Sequence, residues 1–363
     1  GTAVVELTRH HVMSSTLAPA AILRSRNGGI YSLCFTSQRQ LLSGNLSGEV
    51  CLWDLQDQRP VTAWKVSSQS VLSVQSLKGG CLSQSKDGRV KLWDLETQQL
   101  TWEVATDSCS FCRVLVESEG DDSSSTSLLV SPLSEPQEIG IFDPRLAVPS
   151  GTTPPAEKLL VSRLVLPRSE REPGMCTDLC RCPALGPGFL LATYESSDAA
   201  LWDMRQPTEP VSYAQGDPSC PAICSAVLWR KVWISCSGGQ LKMLRLDRDG
   251  GLQASSTSVQ VADAPYKEQS NEANYQAEKR GINTMAVRPD LRLVAAARWD
   301  RRVELFDGKT AKSLNRLVCH DDAVLCIGFE EERGRFASGG ADGRIALWDL
   351  FSETYLGRLS TAA

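Results

Sequence analysis

Three residues near the C-terminus, His320, Ser338 and Asp342, have the side-chain types of a hydrolase triad. In such a triad the serine attacks the substrate, the imidazole accepts its proton and the carboxylate orients the imidazole. Trp348 follows shortly after Ser338 and allows a structural interpretation, because a buried indole N–H, hydroxyl and imidazole each need a hydrogen-bond partner. We favour a structural network of these four residues and predict no catalytic residues and no enzyme activity.

Thirteen cysteines are the other residues that could do chemistry. Only Cys109-x2-Cys112 and Cys176-x3-Cys180-x-Cys182 are spaced like metal ligands, and the chain has three histidines. A structural zinc site usually needs four such ligands, and no second Cys-x2-Cys pair is present. We therefore expect no metal and no cofactor. The odd cysteine count, with many at strand-like positions, fits small apolar side chains in a reducing compartment.

The elements that position these residues follow from a repeat. Four segments end in Leu-Trp-Asp, and three more end in a degenerate form with Phe or Leu in place of Trp. The seven positions are Trp53, Trp93, Phe142, Trp202, Leu244, Phe306 and Trp348. A repeat of roughly 40–45 residues ending in Trp-Asp is typical of a four-stranded WD40 propeller blade, which needs neighbours to bury its faces. The sequence therefore predicts an all-β fold, a single seven-bladed WD40 β-propeller with insertions.

The last repeat shows the strand pattern most fully. Apolar and polar residues alternate over 323–329 and 344–349, and Gly-Gly-Ala-Asp-Gly at 339–343 has the composition of a hairpin turn. One end of the chain must supply an outer strand that closes the ring and removes an open sheet edge. Residues 19–24 and 355–359 are both suitable, and we favour 19–24, paired with 344–349.

The repeat positions divide the chain into a propeller and flanking segments. We expect an N-terminal extension at 1–17, the propeller at 18–350, insertions at about 117–137, 143–174 and 262–280, and a C-terminal tail at 351–363. The acidic, serine-rich stretch 117–127 has little to bury, so we expect a mobile loop there and leave open that it is phosphorylated.

Charge and hydropathy exclude two classes of partner. The net charge is −5 and the isoelectric point is near 5.5, whereas a nucleic-acid-binding domain usually has a basic stripe. No run of about 18 apolar residues is present, so we expect no membrane span, and we see no secretory signal.

Several stretches resemble the G-protein-β-subunit-like family of WD-repeat proteins, whose fungal members are the ASTRA-associated proteins. They are residues 82–95, 111–113 (Phe-Cys-Arg), 174–176 (Gly-Met-Cys), 190–195 and 288–303, and the resemblance covers about 18–350. Ser196-Ser197 in place of Asp-Gly, and Arg298 in place of Gly, depart from the family pattern.

The resemblance implies a non-enzymatic scaffold or adaptor. Its implied partners are subunits of the TTT co-chaperone complex, the phosphatidylinositol-3-kinase-related kinases that this complex helps to mature and assemble, and Hsp90-associated factors. It also implies residence in the cytoplasm and the nucleus.

Unusual residues in turns are the candidate partner-binding site, because propellers recognise partners with loops and rims. Trp299 aligns with a turn position, and Arg298, Arg301 and Arg302 flank it, which is the composition of an interface hot spot. The alternative is that Trp299 folds back over its own turn and the arginines are solvated. Tyr194 and Glu195 occupy the matching turn of the fourth blade and form a second, weaker candidate.

Two other classes of WD-repeat protein are a substrate receptor of a ubiquitin ligase and a G-protein β subunit. The segment Trp202-Asp203-Met204-Arg205 resembles the WDxR element with which substrate receptors of cullin-RING ubiquitin ligases dock on their adaptor, and Phe142-Asp143-Pro144-Arg145 is a weaker copy. We keep such a receptor, docking through Trp202, Asp203 and Arg205, as the alternative function. A G-protein β subunit would need an N-terminal coiled-coil helix, and 1–20 has no heptad pattern.

Overall fold

A computed structural model describes residues 17–118, 127–146, 153–167, 171–260, 281–332 and 334–349. These residues form seven four-stranded antiparallel sheets, which confirms the predicted seven-bladed, all-β propeller. The predicted extension apart from Leu17, the 262–280 insertion, the tail and most of the acidic loop lie outside the described residues.

Each blade is a meander of four strands, numbered from the ring centre outward. Blade 1 contains β2 (Ile30–Ser37), β3 (Gln40–Asn45), β4 (Glu49–Asp54) and β5 (Arg59–Lys65), and blade 2 contains β6 (Val71–Leu77), β7 (Gly80–Ser85), β8 (Arg89–Asp94) and β9 (Leu100–Ala105). Blade 3 contains β10 (Leu115–Ser118), β11 (Ser127–Pro132), β12 (Glu138–Phe142) and β13 (Leu160–Val165), and blade 4 contains β14 (Cys176–Arg181), β15 (Phe189–Tyr194), β16 (Ala199–Asp203) and β17 (Ser212–Ala214). Blade 5 contains β18 (Ala222–Leu228), β19 (Lys231–Cys236), β20 (Gln240–Leu246) and β21 (Leu252–Gln260), and blade 6 contains β22 (Ile282–Val287), β23 (Leu293–Arg298), β24 (Arg302–Asp307) and β25 (Ser313–Val318). Blade 7 combines β26 (Val324–Phe329), β27 (Phe336–Gly340) and β28 (Arg344–Trp348) with β1 (Ala21–Arg24) as its outer strand, and two short 3-10 helices lie at Ala156–Lys158 and Pro183–Leu185.

The N-terminal strand closes the ring, as the sequence predicted. Strand β1 pairs antiparallel with β28, with Ala21 opposite Leu347 and Arg24 opposite Arg344. The edge of β28 is therefore covered by the beginning of the chain, which joins the first and last repeats. The competing segment, 355–359, lies outside the described residues.

Blade 3 uses parts of two segments that the sequence marked as insertions. Strand β11 lies within 117–137, and outer strand β13 lies within 143–174, where Val165 pairs with Glu138 of β12. Leu164 is buried while its strand neighbours are more exposed, so the alternation of an outer strand is present in this proline-rich stretch. The insertions are thus shorter than the sequence suggested.

The core lies between neighbouring sheets. Trp202, Trp233 and Trp348 are fully buried, and each packs with residues of an adjacent blade. Arg113, in the chain leading into β10, crosses the ring centre: its Nη1 donates to Thr284 Oγ1 of blade 6 at 3.0 Å. The ring is therefore tied across its axis as well as around its circumference.

A meander places its connections alternately on two faces of the ring. Face 1 carries the turns between second and third strands and the links between blades, as shown by the hydrogen bond from Trp299 N to Gly281 O. Face 2 carries the turns between first and second strands and between third and fourth strands, as shown by the bond from Leu246 N to Arg230 O.

Candidate partner-binding surface

The four network residues of blade 7 meet as predicted. His320 Nε2 lies 2.8 Å from Ser338 Oγ, and His320 Nδ1 lies 3.2 Å from Asp342 Oδ1. Trp348 Nε1 donates to the same Ser338 Oγ at 2.9 Å. Ser338 is completely buried, so a substrate cannot reach its hydroxyl. His320, Ser338 and Asp342 therefore form a structural hydrogen-bond network within blade 7.

Asp342 also anchors the backbone of its turn. Burial alone raises the pKa of this carboxyl, but hydrogen bonds from His320 and from the backbone N–H groups of Asp321 and Arg344 outweigh it and hold the pKa below its ordinary value. Blade 2 keeps part of this arrangement, with Trp93 Nε1 donating to a serine hydroxyl at 2.8 Å.

Trp299 lies in the turn between β23 and β24, on face 1, and is half-buried. Its Nε1 donates to Asn283 Oδ1 at 2.8 Å. The indole covers Gly281 so closely that a Cβ on this glycine would come within 2.3 Å of the ring. The side chain therefore folds back toward the start of β22 and exposes only part of its surface.

The prediction that Arg298 contacts a partner is wrong, because the residue is buried, with 3% of its surface exposed. Its guanidinium pairs with Asp300 Oδ2 at 2.8 Å and with Glu304, whose other oxygen accepts from Arg316 Nε at 3.1 Å. The equivalent residue in blade 7 is Gly340, where the space is taken by the His320 ring. Arg298 thus fills an interior position and is not a surface residue.

Arg301 is exposed and has an unusual backbone conformation. Its φ is +73°, in the left-handed region that favours glycine, and the matching turn positions in blades 7 and 2 are Gly343 at +74° and Gly88 at +73°. Arg302 begins β24 and is partly exposed. Trp299, Arg301 and Arg302 form what we call the blade 6 turn surface.

Tyr194 is the second correction. Its side chain is completely buried in the core between blades 3 and 4, and burial raises the pKa of its hydroxyl well above the ordinary value. Glu195 next to it is exposed, and its carboxylate accepts a hydrogen bond from Met175 N at 3.1 Å. Only Glu195 of this pair can meet a partner.

The WDxR-like segment is divided between core and surface. Trp202 is fully buried, whereas Arg205 lies exposed on face 2. Arg205 makes a two-point contact with Asp203, at 2.7 and 2.9 Å, and its guanidinium lies 5.1 Å from the centre of the Phe189 ring. The carboxylate and the ring therefore hold Arg205 in one orientation at the surface.

The cysteines with ligand-like spacing are distributed among different contacts. Cys112 and Cys176 lie with their sulfurs 3.8 Å apart in the core, while Cys180 Sγ lies 3.3 Å from Ser225 Oγ of blade 5. Burial raises the pKa of Cys182 to about 12, which keeps it as a thiol at neutral pH. Within the described ranges, no group of three or more Cys, His, Asp or Glu residues could hold a metal ion.

No helix in the described part of the chain is long and apolar enough to cross a membrane.

Trp229 is a candidate surface residue that was not identified from the sequence. This residue lies in the two-residue turn between β18 and β19, on face 2, and is 63% exposed. A tryptophan between two apolar strands, where Gly, Asn or Asp is usual, is the signal that could have found it.

The comparisons with known proteins agree with the fold. The family model described as "WD domain, G-beta repeat" matches residues 18–54 and 311–349. The chain is 28% identical to mouse guanine nucleotide-binding protein subunit beta-like protein 1, over 92% of this chain and 96% of that protein. It is 23% identical to ASTRA-associated protein 1 of Schizosaccharomyces pombe, over 92% and 99% respectively. Mouse striatin-4 is 23% identical over 93% of this chain but only 38% of its own length.

Proposed function

Because the chain belongs to the ASTRA-type family of WD-repeat proteins, we propose that it is a non-enzymatic adaptor that holds protein partners together. The observation that carries this proposal is the similarity to ASTRA-associated protein 1 along 92% of the chain, which spans the ring and not one repeat alone. The burial of Ser338, the hydroxyl in the triad-like set, supports a structural use of the polar side chains.

We further propose that its partners are subunits of the TTT co-chaperone complex. The adaptor would act in maturation and assembly of the phosphatidylinositol-3-kinase-related kinases, with Hsp90-associated factors, in the cytoplasm and the nucleus. The resemblance of the third-blade and sixth-blade stretches, at 111–113 and 288–303, supports this finer proposal.

The blade 6 turn surface is the proposed contact on face 1. Arg301 keeps a conformation that costs an L-amino acid roughly 1–2 kcal/mol, although glycine would adopt it without strain. Strain retained at an exposed arginine is evidence for a role outside the fold. The partly exposed indole of Trp299 beside it supplies apolar area next to the charge, as interface hot spots do.

A pull-down with matched variants tests this contact. We expect Arg301→Ala and Trp299→Ala each to reduce recovery of TTT subunits from cells, while Arg59→Ala, an exposed arginine of blade 1, leaves it unchanged. The melting temperature of each variant separates lost contact from lost folding. Full recovery with both face 1 variants would remove this surface from the proposal, and absence of TTT subunits with the wild-type chain would remove the partner.

A second candidate function is substrate receptor of a cullin-RING ubiquitin ligase. The exposure of Arg205 and its fixed orientation favour it, since a docking arginine must be presented from the surface. The test is co-purification of the cullin adaptor with wild type, Arg205→Ala and, as the comparison, Arg145→Ala, which has the same contact with its own Asp143. Loss with Arg205→Ala alone supports the receptor, whereas no adaptor with the wild-type chain rejects it.

A further inference from the structure

A cleft of about 1270 Å³ lies between blades 5 and 6 on face 2, opposite the blade 6 turn surface. Its apolar lining includes Met243, Leu244 and Leu291, and Trp229 stands at its edge. Both Trp229 and Leu291 lie in turns between first and second strands. We call this region the blade 5–6 cleft. It shares no residue with the surface proposed above, so the inference does not depend on the proposed function.

Trp229 is presented to solvent at a cost in backbone energy. Its φ is +51°, and it is the most exposed large apolar side chain among the described residues. The turn position would suit glycine, and a bulky residue with positive φ is a genuine outlier. A tryptophan held in this way has the properties of an anchor for a partner.

The cleft is strongly basic in a chain whose net charge is negative. Among the described residues, its charged lining consists of Arg230, Lys231, Arg245, Arg292 and Lys309 and a single carboxylate, Asp307. That carboxylate already accepts from the Thr310 N–H and hydroxyl, each at 2.6 Å. The cations are therefore poorly balanced by the wall of the cleft.

Arg230 also lines the cleft, and its side chain is partly exposed. Its Nη1 is buried and has no hydrogen-bond partner among the described residues, so a ligand in the cleft reaches Arg230 through its exposed atoms and not through Nη1. Arg245 has a loose contact, 3.8 Å, with Asp247, and its side chain is 75% exposed. A carboxylate from a partner could pair with the exposed Arg245 guanidinium in two-point geometry.

We propose that the blade 5–6 cleft binds an acidic peptide segment of a partner protein. Its carboxylates lie against the basic lining, and one of its apolar side chains packs on Trp229. The size of the cleft, larger than usual small-molecule sites of about 300–1,000 Å³, fits several consecutive side chains. The opposite charges of segment and cleft set specificity and association rate.

Fluorescence anisotropy with a labelled synthetic peptide tests the proposal on the full chain. The probe contains glutamates and aspartates around a central Leu-Phe pair, and the control peptide has Gln and Asn at the acidic positions. We expect saturable binding of the acidic peptide, weaker at higher NaCl, and at least about tenfold weaker binding of the control. Equal binding of the two peptides, or no binding of either, overturns the proposal, as does equal affinity for a single-stranded DNA oligonucleotide.

Variants locate the binding in the cleft. Arg230→Gln with Lys309→Gln should weaken the peptide by about tenfold or more, and Arg59→Gln on blade 1 should not. Trp229→Gly removes the anchor and relieves the left-handed strain, so it should weaken binding while the melting temperature stays the same or rises. Unchanged affinity with Trp229→Gly or with the double variant would show that the peptide binds elsewhere.

Discussion

Replacing Arg298 by methionine should destabilise the protein without directly affecting partner binding. The substitution removes one partner of a buried ion cluster in blade 6. Glu304, 1% exposed, would keep Arg316 and the Ser313 hydroxyl but lose its contact with Arg298, and Asp300 would lose its two bonds to the guanidinium. Breaking a buried pair from one side typically costs about 3–5 kcal/mol. We expect the lower end, about 3 kcal/mol, because Glu304 keeps Arg316 while Asp300 loses its contacts with Arg298.

This cost converts into a measurable shift in melting temperature. With an unfolding entropy of roughly 2.1 cal/mol/K per residue, the midpoint of a propeller over 18–350 shifts by about 1.4 °C per kcal/mol, so Arg298→Met should lower it by about 4 °C. The double variant Arg298→Met with Glu304→Met should recover part of the loss, because neither charge is then buried alone. Arg301→Met, on the exposed turn two positions beyond Trp299, is the matched control and should stay close to wild type.

Differential scanning calorimetry of wild type, the two single variants and the double variant gives these midpoints. If Arg298→Met melted within 1–2 °C of wild type and lost its partners, Arg298 would be a contact residue and its burial here would not represent the working state. A double variant less stable than Arg298→Met alone would refute the ion-cluster argument.

Three further predictions concern the blade network and the turn of blade 6. Ser338→Ala should lower the free energy of unfolding by about 2–4 kcal/mol, because the hydroxyl accepts from buried Trp348 and contacts buried His320. Ser237→Ala, at an exposed turn, should change it little, and thermal melting of both variants measures the difference. The pKa of Asp342 is lower in the folded state than in the unfolded chain. The stabilisation by its carboxylate is therefore complete above the ordinary pKa near 4 and is lost as the pH falls through the folded value. In urea unfolding, Asp342→Asn should be less stable than wild type at pH 7, and the difference should shrink toward pH 3. Arg301→Gly should raise stability by about 1 kcal/mol by relieving the positive φ and should lower recovery of partners in a pull-down; lower stability would show that the turn is unstrained.

The propeller architecture could be predicted because the sequence repeats a strand pattern with a recurring Trp-Asp-type ending. Each blade repeats the same alternation and the same ending, so one well-formed repeat, with Ser338 and Trp348, indicates where the strands of the others lie. The closing strand β1 could be predicted because an open edge has to be covered. Strand β13 was hidden by the prolines around it, and its pairing with β12 depends on a contact that the repeat does not specify.

The candidate site was less predictable, because exposure depends on what the next blade places opposite a residue. Tyr194 and Arg298 stand at turn-like positions in the sequence, yet one enters the core between blades 3 and 4 and the other fills a space that His320 occupies in blade 7. Trp229 was overlooked because its exposure and its positive φ are properties of the folded turn.

Direct binding between the purified chain and purified TTT subunits tests the adaptor proposal most directly. Isothermal titration calorimetry should show saturable binding at micromolar concentrations or below, weakened about tenfold (about 1.4 kcal/mol) by Arg301→Ala and unchanged by the blade 1 control Arg59→Ala. The absence of binding heat at every concentration tested, with a chain whose melting curve shows that it is folded, would contradict the proposal.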